Sequence, residues 1–216
     1  MTLRQGPLLL AALAASAVAG CHPPERRPDA RAAGLEWPVP PQWKHETIAF
    51  PLDFAPDISH RGLEELRFPP HFFEPVSPNY WSYAFIWWLD GQPAIDQPAL
   101  EHDLMRYFRG LCTAVGGKKY RFDPARFRVT LTPMAAPDAQ TSSEAGGALA
   151  WRGQVRTYDP FATGAELLLF MDVQVRDCQA AGRRAVLFAA SPRPFTDDIW
   201  RVLTERQTSL KCQAAP

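Results

Sequence analysis

Hydrophobic and polar positions alternate with a period of two along much of the chain, and that alternation predicts a body built on β-strands. Leu167, Leu169, Met171, Val173 and Val175 interleave with Asp172, Gln174 and Arg176, the pattern of a half-buried strand over 167–176. Phe127, Val129 and Leu131 alternate with Arg128, Thr130 and Thr132 in the same way, and Trp151 and Val155 sit among Arg152, Gln154 and Arg156. A short apolar run at 186–188, ahead of Pro192, predicts a further strand. The most apolar stretch, 80–89, carries Trp81, Tyr83, Phe85, Trp87 and Leu89 on one face and Ala84, Ile86 and Trp88 on the other. Both of its faces require cover, which places it centrally in a sheet. Segments 48–54 and 63–68 read as shorter strands; Pro51 interrupts the first and Pro69-Pro70 bounds the second, which suits a sheet edge.

Two stretches change period. Leu100, Leu104, Phe108, Leu111 and Val115 recur at helical spacing, with Asp96 as cap, Pro98 in the first turn and Gly116-Gly117 as the stop. A second helix is predicted from Thr196 as cap, with Asp197 and Asp198 complementing the dipole and Ile199, Trp200, Leu203 and Leu210 facing inward, closing the fold. Strands, a helix, more strands and a last helix make an α+β domain, an antiparallel sheet of six or seven strands with two main helices packed on it. The order resembles the α/β/α sandwiches of the PsbP and Mog1 proteins. It is a resemblance of element order, with no residue motif behind it, and it implies no activity.

The N-terminus departs from this texture. Arg4, an apolar run at 8–19 and the small residues Val18, Ala19 and Gly20 read as an export leader, too short to span a bilayer. The next residue is Cys21, and the segment resembles the lipobox of bacterial lipoproteins. That resemblance implies cleavage after Gly20, acylation of Cys21 and a body tethered by two or three chains, each buried CH₂ contributing about 0.8 kcal/mol. The residue after the cysteine is His22 rather than Asp, which by the same resemblance implies the periplasmic face of the outer membrane. The alternative is an uncleaved anchor or an ordinary secretory peptide cut elsewhere. Prolines at 23, 24, 28, 38, 40 and 41 make the following segment an extended spacer with a reach of up to about 60 Å. The chain is thus divided into a leader at 1–20, a lipidated and Pro-rich linker at 21–42 and one globular domain at 43–216. The body also resembles the uncharacterised lipoproteins of high-GC proteobacteria.

Composition narrows the partners. Basic and acidic residues balance at 23 each, so no global field attracts polyanions, and nucleic acid is excluded as a partner. The partners expected are the membrane through the anchor and an envelope protein or glycan. Besides Cys21, three cysteines remain. Cys112 falls on the apolar stripe of the first helix as a buried free thiol, while Cys178 ends a strand and Cys212 lies in the tail, and pairing these two would staple the tail to the sheet.

Candidate chemistry is sparse. His45, His60 and His71, with Glu46, Glu64, Glu65 and Glu74 nearby, supply the ligand types of a zinc-like ion, and a metal-assisted hydrolase using them with Glu46 or Glu64 is the alternative function. They lack helical ligand spacing, and solvated loop histidines account for them as well. There is no nucleophile elbow, phosphate loop or CxxC pair, and no cofactor is implied. Asp159 and Thr163, between two strands, can contact a ligand or make a turn. Trp81 and Trp87 read as core, whereas Trp88, on the opposite face, is the candidate for an exposed aromatic surface that binds a partner or sugar. The favoured reading is a non-enzymatic, tethered envelope protein.

Overall fold

The computed structural model describes residues 30, 33–134 and 149–214 and is α+β. A two-residue strand β1 (Leu35–Glu36) precedes β2 (Lys44–Ala49), β3 (Gly62–Phe68) and β4 (Tyr83–Asp90). Helix α1 (Gln97–Gly116) then leads to β5 (Arg128–Pro133), β6 (Ala150–Tyr158), β7 (Glu166–Cys178) and β8 (Arg183–Ser191), and α2 (Ile199–Thr208) leads to β9 (Lys211–Cys212). Seven strands form an antiparallel sheet in the order β2-β3-β4-β8-β7-β6-β5, and β1 pairs separately with β9. The chain builds one half of the sheet as a meander, crosses by α1 to the far edge, and returns strand by strand until β8 closes against β4. The leader, Cys21 and linker positions 22–29, 31 and 32 lie outside the described residues.

The two faces of the sheet carry different covers. On the inner face α1 lays Leu104, Tyr107 and Phe108 over Phe85, Trp87, Val155 and Phe188, all buried, with the Phe85 and Phe188 rings stacked at 4.3 Å. The helix starts where expected: the Asp96 carboxylate accepts from the Ala99 amide at 2.8 Å. It also protects the sheet edge, since Glu101 accepts from the Leu131 amide at 2.7 Å and Gln97 donates to the Leu131 carbonyl at 2.9 Å, removing a pairing site from β5. A glycine inside this helix is required by packing, because a Cβ on Gly110 would lie 1.9 Å from the Phe54 carbonyl oxygen.

On the outer face α2 covers β4 and β8 through Ile199, Trp200 and Leu203 against Ala84, Ile86, Ala185 and Leu187. Trp88 belongs to this cluster and is wholly buried, its indole N–H donating to the Ala33 carbonyl at 2.9 Å. The expectation of an exposed Trp88 is therefore corrected: the same demand for cover that makes β4 an inner strand applies to its second face. The linker boundary is corrected too. Leu35 and Trp37 are buried, β1 pairs with β9, the Trp37 indole donates to the Arg206 carbonyl at 2.7 Å, and Arg67 donates to the Trp37 carbonyl at 2.7 Å. The folded body thus starts before residue 43, because two large apolar side chains outweigh the proline composition around them.

Three further expectations shift. Strand β3 is second from the edge and buried on both faces, rather than an edge strand. Thr196 is not the cap of α2; Asp197 accepts from the Ile199 amide at 3.0 Å, and the helix ends before Leu210, which is buried beyond it. The fold closes with β9 rather than with a helix. Cys178 and Cys212 are joined, with Cα atoms 5.3 Å apart and a sequence separation of 34, and Cys112 is a buried free thiol. Replacing both bridged cysteines by serine is expected to cost about 3–4 kcal/mol, the loop entropy released to the unfolded chain. Urea unfolding of the double variant checks this, and an unchanged midpoint would show that the bridge does not constrain the unfolded protein.

Candidate functional site

Polar chemistry inside the body concentrates at Glu64, in the middle of β3 on the inner face. Cross-strand register sets it between Ile48 and Trp87, and α1 closes over it. The Trp87 indole donates to Glu64 Oε1 at 3.2 Å, and the Tyr107 hydroxyl stands against the same carboxyl. Glu64 Oε2 and the Tyr83 hydroxyl are buried without a hydrogen-bond partner. Burial pushes the carboxyl up to about 8, the Trp87 and Tyr107 hydrogen bonds oppose this, and the negative Glu46 adds to it. At neutral pH this is a carboxylic acid that holds its proton, sealed from water and from any substrate.

The three histidines go separate ways. His45 lies on β2 opposite Arg67, on the outer face, whereas Glu46 and Glu64 belong to the inner one. His60, between β2 and β3, packs on the Phe50 and Trp87 rings and places Nε2 3.0 Å from Asp103 of α1. His71 pairs with Glu74 at 2.9 Å on the exposed loop after β3. Among the described residues no three His, Cys, Asp or Glu side chains are grouped to hold a metal ion. The hydrolase constellation is not assembled.

Asp159 is consumed by its own turn. Oδ1 accepts from the Trp81 indole and the amides of Phe161 and Ala162, and Oδ2 accepts from the Tyr80 hydroxyl, the Thr163 amide and the Thr163 hydroxyl, all at 2.7–3.1 Å. Six donors saturate the roughly four lone-pair positions of a carboxylate. Burial alone would raise its pKa, but the hydrogen bonds from Tyr80, Thr163 and Ala162 outweigh burial and hold it below the usual range. Neither oxygen is left for a ligand. Beside this turn the partly exposed Phe73 and Phe161 rings meet at 5.0 Å.

A second buried polar group fastens rather than catalyses. On the outer face of β3, Glu65 accepts from Arg67 at 2.7 Å and from Thr47, and the Arg67 guanidinium lies 4.4 Å from the Trp37 ring. The ion pair ties the segment around Trp37 to the sheet.

The outer face of the sheet is open at its far end. The outward side chains of β5 and β6 are Arg128, Thr130, Thr132, Arg152, Gln154 and Arg156, all exposed, beside half-buried Leu168 at the start of β7. Helix α2 does not reach them. Sequence reasoning places these residues on the polar side of their strands but does not single them out; the available signal is three arginines among six outward positions.

No family model matches the chain, and no curated protein matches it. Among solved structures it is similar to the crystal structure of LpqN, described as involved in cell envelope biogenesis of Mycobacterium tuberculosis, at 16% identity over 81% of this chain and 78% of that one, with a TM-score of 0.28. So loose a match transfers no role to this chain.

Proposed function

We propose that the protein is an envelope lipoprotein, tethered through Cys21, whose body binds a partner or ligand on the open end of its sheet and performs no chemistry of its own. The observation that carries the binding half is the uncovered outer face of β5 and β6: α2 and the segment around Trp37 cover the rest of that side, while here a polar, charge-bearing surface faces solvent. A face of paired strands, fixed by the hydrogen-bonded ladder on either side of β6, is suited to recognition. The polar groups that could do chemistry are spent elsewhere, Glu64 sealed in the core and Asp159 saturated by its turn.

The tether half rests on the leader ahead of Cys21, and a disulfide between Cys178 and Cys212 is in keeping with an oxidising compartment. Retention at the periplasmic face of the outer membrane, with His22 after the lipidated residue, belongs to the same proposal. So does a PsbP or Mog1 layering, as topology and not as a source of activity. Metabolic labelling with a radioactive fatty acid tests the tether. Label is expected on the protein and absent from Cys21→Ser, which should leave the membrane fraction or keep its leader. Label that persists on Cys21→Ser would end the tether reading.

A further inference from the structure

Arg128 and Arg156 are direct partners in the antiparallel register of β5 and β6, and Leu168 stands opposite Arg156 on β7. Two residues so paired have side chains on one face with Cα atoms about 4.5–5.5 Å apart. Like charges placed directly opposite destabilise a sheet, so such a pair is expected to be broken by substitution or neutralised by a counter-charge. Neighbouring arginines have one: Arg152 pairs with Asp172 at 2.9 Å and Arg126 with Glu166 at 3.4 Å. Among the described residues the side chains of Arg128 and Arg156 have neither an ion pair nor a hydrogen bond. The corner they occupy therefore holds three guanidiniums, those of Arg126, Arg128 and Arg156, against the Glu166 carboxylate. Alongside is a cavity of about 140 Å³ lined by Arg126, Arg156, Thr157, Glu166, Leu167 and Leu168.

We propose that Arg128 and Arg156 form a site for a phosphate group, gripping it between their two guanidiniums with the cavity beside Leu168 receiving the remainder of the molecule. Guanidinium forks bind tetrahedral oxyanions through paired N–H donors, and two of them facing across one strand spacing can share a single anion. The apolar Leu167 and Leu168 in the cavity wall suit a phosphate ester better than a bare ion. The proposal rests on the reading of the body as a binding module and names its ligand class; it is independent of the lipid on Cys21.

The test uses two probes, inorganic phosphate by calorimetry on the full chain, and flotation of the full chain carrying Cys21→Ser, which has no acyl group to insert, with phosphatidylcholine vesicles with and without phosphatidylglycerol. Arg128→Gln, Arg156→Gln and their double variant are compared with Arg201→Gln, which removes the same charge from the exposed side of α2. Saturable binding is expected to at least one probe, weakened tenfold or more by either site variant and unchanged by Arg201→Gln. Binding to phosphate alone identifies a soluble phosphate compound as the source, and binding to the anionic vesicles alone identifies a lipid headgroup. Without ligand, the site variants are expected to melt at or above the temperature of the parent protein, since removing one charge relieves the opposition.

Absence of binding to both probes up to about 10 mM phosphate, or binding that survives in the double variant, would overturn the proposal. So would a lower melting temperature in both single variants, which would make the arginines supports of the fold. Fatty-acid labelling scored on the same preparations keeps this outcome separate from the tether: a labelled chain that binds no phosphate ends the inference and leaves the anchor standing.

Discussion

Glu64→Gln is expected to remove a loss of stability that the parent protein suffers between about pH 4.5 and pH 8. The carboxyl titrates near its ordinary value of 4.5 in the unfolded chain and near 8 in the fold, so across this window the folded state carries a proton that the unfolded state has released. Stability then falls as pH rises. Its contribution is complete below the unfolded value and spent above the folded one, and the span corresponds to about 5 kcal/mol at roughly 1.4 kcal/mol per pH unit. Glutamine keeps the shape and an oxygen for the Trp87 indole but never ionises. Urea midpoints of both proteins at pH 5, 7 and 8.5 check the idea. The parent should weaken steeply and the variant only through groups common to both; parallel profiles would show that Glu64 ionises in the fold without penalty.

Glu64 also marks where the sequence stops being readable. Two adjacent glutamates in a seven-residue segment ahead of two prolines suit an exposed edge, and nothing in the local pattern reveals that they enter an inner strand. Partners beyond the local pattern match them: Glu65 has Thr47 on β2 besides Arg67 two residues along β3, and Glu64 has Trp87 on β4 and the hydroxyl of Tyr107 on α1. Strands whose two sides differ were legible, because burial imposes the period. The alternation of Leu169, Met171, Val173 and Val175 maps onto buried positions of β7, and the inward Val129 and Leu131 onto those of β5. Asp96 was legible for a local reason, a side chain three residues from the amide it caps. The strand at Leu35 was not, since its partner is the far C-terminus and its neighbours are prolines.

The candidate site shows the same division. Histidines close in sequence suggested convergence, yet strand alternation and loop direction send His45, His60 and His71 to different surfaces. The opposed arginines of the open face arise only from register. Arg128 and Arg156 are separated by a hairpin, and a shift of one residue in pairing would have moved every side chain of β5 relative to β6 and dissolved the juxtaposition. Turn chemistry, by contrast, is local, and the run from Asp159 to Gly164 contains the acceptor and most of its donors.

Asp159→Ala is expected to cost about 5 kcal/mol at pH 7, because it strips the acceptor from six donors at once and charge-assisted hydrogen bonds each contribute about 1.5–3 kcal/mol, only some of which water can replace. The most consequential donor is Trp81. Its backbone lies at φ +52°, a left-handed conformation unfavourable for a bulky side chain by about 1–3 kcal/mol, and its buried indole N–H ends on Asp159. Without the carboxylate the strained residue loses one of the contacts that hold it at the entry to β4, with Phe72 and Phe161 packed around it. The loss should also depend on pH with the sign opposite to that of Glu64. A carboxyl held below its ordinary range stabilises the fold above its unfolded pKa, and that contribution fades as pH falls through the folded value, so the difference between parent and variant should shrink toward pH 3. Asp159→Asn, which retains one acceptor oxygen, should fall between the two and supplies the measurement if the alanine variant is not recovered folded. Urea unfolding followed by tryptophan emission resolves all three proteins. A cost below about 1 kcal/mol at pH 7 would mean that the donors find other partners and that the turn holds its shape without its central carboxylate.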